Sequence, residues 1–316
     1  MVCGENSLDR KRGMVRHFLS VADVTREELE KLLLTAERIK GGVPPPKVLS
    51  GKIVAAIFLK PSTRTRVSFE VAVRRLGGDF IFLRGDELQL VRGEPLKDTA
   101  RVLGRYVDGI IARVYSHRDL EVLAEYSGVP VVNALSDLEH PCQALADMLT
   151  VKEKLGRLRG VTLAFVGDGN NVCHSLLLAC SMLGVNIRVA TPKGYEPKRE
   201  IVEKAVSMAQ PETEIRILNS PEKAVEGADV VYTDVFVSMG DEGEAEERLS
   251  VFLPRFQVNG KLLRLAKPNA IVMHCLPAHR GEEITEDVLE GERSAVWDQA
   301  ENRLYAQEAL LSFLYS

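Results

Sequence analysis

The chain has 316 residues, of which 45% are hydrophobic and 27% charged, a composition typical of a globular protein with one large or two medium-sized domains. Its formal net charge of −4 provides no global positive field, so we expect no nucleic-acid partner. No apolar run is long enough to span a bilayer and no signal-peptide core begins the chain, so we expect no membrane association and a cytoplasmic location.

The predicted elements begin with an amphipathic helix over residues 25–40, which opens at a Thr-x-x-Glu capping box and is broken by GGVPPP. Short apolar runs then alternate with helical patterns, which predicts parallel strands joined by right-handed crossovers. Nine runs are strand candidates: residues 53–59, 79–83, 109–114, 129–133, 161–167, 185–190, 214–218, 229–234 and 270–275. They could form one wide sheet or two sheets of four or five strands.

The stretch PCQALADMLTVKEKLG, residues 141–156, is opened by proline and closed by glycine. We interpret it as a helix that joins two α/β domains, each a parallel sheet flanked by helices, with the active site in the cleft between them. The predicted domains are residues 1–150 and 151–295. Residues 296–316 form a final helix, which is expected to pack back on the first domain.

Residues 60–70, KPSTRTRVSFE, place hydroxyls and cations between the first strand and a helix that ends at Gly77-Gly78. Backbone N–H groups at a helix start form an anion site, and hydroxyls and guanidinium groups add donors suited to phosphate. The turn therefore predicts a phosphate cradle. The alternative is a solvated capping turn, since Ser and Thr are ordinary N-caps.

Two further sets of polar residues follow a predicted strand or open a helix. GDGNNVCHS, residues 167–175, lacks the spacing G-x-G-x-x-G, so we discount NAD; Asn171 could reach a small polar ligand, or the segment could be a plain turn with an N-capping Asn. His140 and Gln143 open the joining helix and could donate to a developing oxyanion; the alternative is a capping His. His140 with Cys142 makes a poor metal site.

The remaining candidates end the two strands at 229–234 and 270–275. Asp234 suits an ammonium ligand and precedes a glycine-containing acidic loop that could be a lid or a mobile surface loop. Cys275 could orient a ligand or be a buried structural thiol. The five cysteines include no CxxC pair, which indicates a reducing compartment rather than disulfides or a zinc ribbon.

Taken together, the segments STRT (62–65), HPCQ (140–143), DVFVSMG (234–240), HCLP (274–277) and ENR (301–303) resemble the ornithine carbamoyltransferases of the aspartate/ornithine carbamoyltransferase superfamily. The resemblance runs over nearly the whole chain and in the family's order. STRTR and HPxQ are shared with the aspartate enzymes, whereas HCLP and SMG discriminate the ornithine enzymes. It implies a first domain that binds carbamoyl phosphate, a second that binds ornithine, and a homotrimer or an assembly of trimers.

The resemblance also implies the site residues. Arg113, His140 and Cys275 would be catalytic, the Leu276-Pro277 bond would be cis, and Gln89 would come from a neighbouring subunit. Carbamoyl phosphate would be bound by Ser62, Thr63, Arg64, Thr65, Gln89, Arg113, His140, Gln143, Cys275, Leu276 and Arg303. The amino-acid end of ornithine would be bound by Asn171, Asp234, Ser238 and Met239.

The implied reaction is attack of the ornithine δ-amine on the carbamoyl carbon, which gives citrulline and phosphate. We expect no cofactor and no metal, because the substrate brings its own activated leaving group. Cys275 would orient the δ-amine or accept its proton. The alternatives are a carbamoyltransferase acting on putrescine or an acylated ornithine, and a non-catalytic homologue that binds a small ligand.

Overall fold

The structure of the chain, a computed structural model, describes residues 15–238 and 242–316. These residues form two parallel β-sheets, one of four strands and one of five, each flanked by helices. The predicted fold class is therefore confirmed, and of the two arrangements that the nine strand candidates left open, the structure has two separate sheets. No helix in the described ranges is long and apolar enough to cross a membrane.

The first sheet has the strand order β2-β1-β3-β4. Its strands are β1 (Ile53–Phe58), β2 (Asp79–Arg84), β3 (Gly109–Arg113) and β4 (Val131–Leu135). Both β1 and β3 consist almost entirely of buried residues, as expected for central strands of a parallel sheet covered on both faces. After β1 the chain adds β2 on one side of β1 and then β3 on the other side. Because the strand order reverses there, a crevice opens at the carboxyl ends of β1 and β3.

The helices around this sheet are α1 (Arg26–Lys40), α2 (Thr63–Arg75), α3 (Leu96–Tyr106) and α4 (His117–Ser127). The predicted capping box opens α1: the Thr25 hydroxyl accepts from the N–H of Glu28, whose carboxylate accepts from the N–H of Thr25. Helix α2 begins immediately after β1, so its N-terminus lies at the carboxyl edge of the first sheet.

Helix α5 (Pro141–Leu155) starts at the carboxyl end of β4 and leads to the second sheet. Eleven consecutive residues of α5 are buried, from Pro141 to Val151, because elements of both halves pack around it. One hydrophobic cluster extends from Val54 of the first sheet through Leu145 and Leu149 to Leu163 and Phe165 of the second. The two sheets therefore share a continuous core, which fixes the cleft between them.

The second sheet has the order β7-β6-β5-β8-β9. Its strands are β5 (Thr162–Val166), β6 (Asn186–Ala190), β7 (Ile215–Leu218), β8 (Val230–Thr233) and β9 (Ile271–His274). The winding reverses at β5, between β6 and β8, so this sheet also offers a crevice at its strand carboxyl ends.

The remaining helices are α6 (Asn171–Leu183), α7 (Arg199–Met208), α8 (Pro221–Val225), α9 (Ala245–Phe252), α10 (Gly260–Leu263), α11 (Glu286–Leu289) and α12 (Val296–Leu314). Helix α12 returns to the first half, where it packs against α5, α2 and α1. This return places the residues of α12 behind the start of α2, although more than 200 residues separate them in sequence.

Candidate active site

A cavity of about 350 Å³ lies where the carboxyl ends of the two sheets face each other. It collects most of the predicted site residues, from both halves of the chain. Its lining comprises Lys60, Pro61, Ser62, Thr63, Arg64, Thr65, Arg113, Leu135, His140, Asn171, Val172, Asp234, Val235, Val237, Ser238, Cys275, Leu276, Pro277, His279 and Arg303.

The turn at residues 62–65 forms one end of this cavity. Ser62 is the N-cap of α2, and its hydroxyl accepts from the N–H of Thr65 at 3.3 Å. Residues 62–65 line the cavity, and they include the first residues of α2, a helix of 13 residues. The two interpretations of this sequence are compatible, because one Ser caps the helix while the start of the same helix lines the cavity.

We call the side of the cavity formed by Arg64, Arg113 and Arg303 the cationic wall. Arg113 ends β3 and is 5% exposed, and Arg303 projects from α12 and is 4% exposed. The Nε atoms of these two side chains are buried without a hydrogen-bond partner among the described residues. Burial, followed by repulsion from Arg303 and Arg64, lowers the pKa of Arg113 to about 10. Such a wall favours an anionic ligand, which would relieve the repulsion.

Arg303 is held in place by residues from two other helices. Its Nη1 donates to Gln143 Oε1 at 2.6 Å and its Nη2 to Thr65 Oγ1 at 3.1 Å. Gln143 is 1% exposed and does not line the cavity, and its Nε2 donates to Asp147 at 2.8 Å. The sequence suggested an amide donor in contact with the ligand, whereas the structure places that amide behind Arg303, where it positions the guanidinium group.

His140 lines the cavity at the start of α5, where it makes no capping hydrogen bond through its side chain. His140 therefore occupies the N-cap position, as one interpretation predicted, but its imidazole does not cap the helix. Its backbone N–H donates to Ser175 Oγ at 2.9 Å, while its Nδ1 is buried without a partner among the described residues. Burial, with repulsion from Arg303 and Arg113, holds the pKa of His140 well below its usual range, so the imidazole is neutral at pH 7.

A second part of the cavity lining, which we call the acidic wall, consists of Asp234 and Cys275, and Asn170 supports it from outside the lining. Asp234 follows β8, and its Oδ2 accepts from Asn170 Nδ2 at 2.8 Å. Its Oδ1 accepts from the Cys275 thiol at 2.9 Å. Both oxygens of this buried carboxyl group are thus held by neutral donors, and no cation among the described residues takes part in these hydrogen bonds.

Cys275 is a hydrogen-bond donor in this arrangement. Burial and the adjacent Asp234 carboxylate hold the pKa of the Cys275 thiol well above its ordinary value of 9.0. A thiol that stays protonated is neither a nucleophile nor a proton acceptor at neutral pH. Of the two roles expected for Cys275, the geometry therefore supports orientation.

The loop after β9 has the backbone that the sequence suggested. The Leu276-Pro277 bond is cis, and Leu276 has a φ of 58°. The N–H of Leu276 donates to His274 Nδ1 at 2.9 Å, and His274 Nε2 lies 2.9 Å from Glu283. Asp234, His274 and Cys275 offer ligand atoms within 4.8 Å of one another, but both His274 nitrogens and the thiol are already engaged, so the three residues do not form a metal site as they stand.

The remaining predicted residues differ in their placement. Asn171 and Ser238 line the cavity, and Asn171 Nδ2 donates to the carbonyl of Ser136 at 2.6 Å. Gln89 is exposed in the short segment Gln89–Arg92 and does not line the cavity of its own chain. Met239 and the rest of the predicted lid at 239–241 lie outside the described residues.

Sequence reasoning missed Asn170 as a partner of Asp234. Asn170 is the N-cap of α6, where its Oδ1 accepts from Val172 and Cys173 while its Nδ2 reaches Asp234. Its glycine neighbour is structural, because a Cβ on Gly169 would lie 2.2 Å from the backbone nitrogen of Pro197. The turn therefore packs against the segment after β6, and the available signal was the capping Asn itself.

Comparison with known proteins places the chain in a family of enzymes. Residues 16–153 match the family model described as the aspartate/ornithine carbamoyltransferase carbamoyl-P binding domain. Residues 159–314 match the aspartate/ornithine carbamoyltransferase Asp/Orn binding domain. The chain therefore belongs to the aspartate/ornithine carbamoyltransferase family, and the resemblance seen in the sequence is confirmed.

Individual relatives are similar over almost the full length. A protein of Thermococcus kodakarensis named ornithine carbamoyltransferase is 55% identical over 303 residues, which cover 95% of this chain and 96% of that one. One of Hyperthermus butylicus with the same name is 56% identical, covering 95% and 97%. The solved structure of the ornithine carbamoyltransferase from Pyrococcus furiosus has a TM-score of 0.89 at 54% identity and covers 95% of this chain and 97% of that chain.

Proposed function

We propose that this chain transfers the carbamoyl group of carbamoyl phosphate to the δ-amine of L-ornithine, giving L-citrulline and phosphate. The observation that carries the proposal is that one cavity is lined by both a cationic wall and an acidic wall. One wall suits a phosphate ester and the other an ammonium group. The similarity to relatives named ornithine carbamoyltransferase supports the same substrates.

The phosphate of carbamoyl phosphate would be bound at the turn of residues 62–65, by the first N–H groups of α2 and by the Arg64 guanidinium. Arg113 and Arg303 would then contact the bridging and carbonyl oxygens. The Nε atoms of these two buried side chains have no hydrogen-bond partner among the described residues. This supports the placement, because an anion would accept the hydrogen bonds that these donors lack.

The amino-acid end of ornithine would lie against the acidic wall. Asp234 would bind the α-ammonium, and Asn171 and Ser238 would provide donors for the α-carboxylate. Met239 is proposed on family resemblance alone. An acylated ornithine lacks the α-ammonium and putrescine lacks the α-carboxylate. Asp234 therefore supports ornithine over the acylated amine, and the donors of Asn171 and Ser238 support it over putrescine.

The chemistry then follows from the donors around the carbamoyl carbon. An alkyl amine has a pKa near ~10.4, so the δ-amine must lose a proton before its lone pair attacks the carbonyl carbon. The carbonyl oxygen becomes an oxyanion, which Arg113, the neutral His140 and the Thr65 hydroxyl would stabilise. The tetrahedral intermediate then expels phosphate as the C–O bond between the carbonyl carbon and the phosphate oxygen breaks. The new C–N bond is kept, and the attacking nitrogen gives up a second proton, which leaves with the phosphate as HPO4²⁻. Cys275 would hold Asp234 and thereby orient the amine.

We further propose that the active form is a homotrimer or an assembly of trimers in the cytoplasm. Gln89 is exposed and does not line its own cavity, which is compatible with a role in a neighbour's site. The described cysteines are all free thiols, as expected in a reducing compartment. Sedimentation coupled to an activity assay checks the assembly, since isolated subunits should be nearly inactive.

The function is tested by incubating the purified chain with carbamoyl phosphate and one amine at a time: L-ornithine, putrescine or N-acetylornithine. We expect citrulline formation with ornithine at a kcat/KM far above that for either other amine. Preference for putrescine or the acylated amine would replace the proposed substrate. Binding of carbamoyl phosphate without turnover of any amine would indicate a non-catalytic homologue.

A further inference from the structure

Asp147 is a buried carboxylate that the reaction described above does not use. It lies on α5 one helical turn after Gln143, is 0% exposed and does not line the cavity. Its Oδ1 accepts from Gln143 Nε2 at 2.8 Å and from Gln299 Nε2 at 2.7 Å, and its Oδ2 accepts from the Tyr232 hydroxyl at 3.1 Å. These donors are neutral, and a carboxylate in an apolar core is costly, so packing alone does not account for the residue.

The carboxylate determines which way the Gln143 amide points. An ionised carboxylate only accepts hydrogen bonds, so it selects the NH₂ end of the amide and turns Oε1 away. That oxygen accepts from Arg303 Nη1 at 2.6 Å. In the opposite amide orientation, the NH₂ group would face the guanidinium donors and Oε1 would face the carboxylate, and both contacts would be repulsive.

The same carboxylate orients a second amide, that of Gln299 on α12. Gln299 gives its Nε2 to Asp147, so its Oε1 faces the N–H of His274 and accepts from it at 2.9 Å. His274 ends β9, and its Nδ1 accepts from the N–H of Leu276, whose side chain lines the cavity. One buried group is therefore connected to Arg303 on the cationic wall and to the loop that carries Cys275 and Leu276.

We propose that Asp147 is a positioning residue for carbamoyl transfer, which aligns Arg303 through Gln143 and the Leu276 loop through Gln299 and His274. The inference rests on the proposed function, because it concerns the alignment of groups that would contact carbamoyl phosphate. It assigns Asp147 no contact with either substrate. Its role is to orient the amides of Gln143 and Gln299. The oxygen of the first accepts from Arg303 and that of the second from the N–H of His274, so the two amides support the cationic wall and the Leu276 loop.

The test is the variant Asp147→Asn in the full chain. Asn has nearly the same volume and keeps one acceptor, but its own amide can rotate, so neither Gln143 nor Gln299 is held in one orientation. We expect kcat for citrulline formation to fall about tenfold to a hundredfold, as for small displacements of reacting groups. The dissociation constant of carbamoyl phosphate, measured by calorimetry, should rise, while the KM for ornithine stays within about twofold because Asp234 is untouched. Assays at pH 8.5 keep the carboxylate ionised, since burial raises the pKa of Asp147 to about 7.

The matched control is Asp229→Asn, the same chemical change at a buried carboxylate at the opposite edge of the second sheet. Asp229 accepts from the N–H of Thr162 and from Lys267, away from the cavity. We expect the melting temperature to fall in both variants and kcat to fall only in Asp147→Asn. If the two variants lose stability equally and keep wild-type kcat and carbamoyl phosphate affinity, Asp147 has a purely structural role and the inference is wrong.

A second variant keeps the test decisive should Asp147→Asn not fold. Gln299→Met removes one amide of the network while preserving side-chain length. It should lower kcat, because the His274 N–H loses its acceptor and the Leu276 loop loosens. A folded Gln299→Met variant with unchanged kcat contradicts the inference. Absence of citrulline with the wild-type chain would instead contradict the proposed function, so the two failures are distinguishable.

Discussion

The two walls of the cavity solve the problem of buried charge in opposite ways. On the acidic wall, both oxygens of Asp234 already have donors within the chain, from Asn170 and Cys275. On the cationic wall, the Nε atoms of Arg113 and Arg303 have no partner among the described residues, and neighbouring guanidinium groups repel each other. One wall is complete without a ligand, whereas the other depends on an anion to complete it.

This difference predicts how strongly each wall depends on its ligand. Filling the cationic wall with phosphate would gain hydrogen bonds that the empty protein lacks and would remove repulsion, so substitutions there should have large effects on carbamoyl phosphate. The acidic wall gains less from its ligand, because its hydrogen bonds exist beforehand. Substitutions there should have smaller effects and act on the amine substrate.

The largest effect is expected for Arg113→Met, which removes a buried, positively charged donor at the carbamoyl oxygen. We expect kcat to fall about 100-fold to 1000-fold, the usual cost of deleting one oxyanion donor. Steady-state kinetics with ornithine measure it. The control is Arg101→Met, since Arg101 is exposed on α3, pairs with Asp98 and lies outside the cavity. A kcat within threefold of wild type for Arg113→Met would mean that the cationic wall acts only in binding.

A smaller effect is expected for Arg64→Ala, because Arg64 is exposed at the start of α2 and contributes to phosphate binding alone. Loss of a charge-assisted hydrogen bond of about 1.5–3 kcal/mol should weaken carbamoyl phosphate binding roughly tenfold to a hundredfold. The KM for ornithine should hardly change. Calorimetry with carbamoyl phosphate checks this against Arg74→Ala, which alters an exposed Arg on the same helix that pairs with Glu70. Equal affinities of the two variants would remove Arg64 from the phosphate site.

On the acidic wall, Asp234→Asn should raise the ornithine KM about tenfold through loss of the charged partner of the α-ammonium. Carbamoyl phosphate affinity should stay near that of the wild type, because that ligand lies on the other wall. The decisive measurement is the ratio of kcat/KM for ornithine to that for N-acetylornithine, which lacks the α-ammonium, in wild type and variant. A variant that loses stability but keeps this ratio would show that Asp234 only supports the loop after β8.

The sequence predicted the ends of strands well and the positions of long-range partners poorly. Arg113, Asp234 and Cys275 each follow a short apolar run, and parallel sheets bring such ends to one edge, so their convergence was predictable. Gln143 was expected to contact the ligand, but it does not line the cavity, and its amide oxygen accepts from Arg303, which comes from α12, 160 positions later in the chain. The hydrogen bond from Asn170 to Asp234 likewise depends on how the N-terminus of α6 is placed relative to the carboxyl end of β8, which no local sequence pattern encodes.

The last and smallest effect concerns the protonation of Cys275. Because its pKa is raised above its ordinary value of 9.0, the thiol stays protonated at pH 8, and iodoacetamide should modify it at least about tenfold more slowly than a small free thiol. Asp234→Asn removes the carboxylate that accepts from the thiol and repels the thiolate, so Cys275 should be modified faster in this variant. Site-resolved mass spectrometry separates Cys275 from the fully buried Cys142, Cys173 and Cys180.

The same shift fixes the sign of a stability effect. A folded pKa above the unfolded value means that the unfolded chain loses the proton first, so the contribution of Cys275 to stability is complete below pH 9 and is lost as pH rises above it. Cys275→Ser, whose hydroxyl does not titrate in this range, should flatten the fall of melting temperature between pH 9 and pH 10. Rapid modification of Cys275 in the wild type at pH 8 would show a thiolate. The acidic wall would then also hold an unpaired charge, and the contrast drawn between the two walls would be wrong.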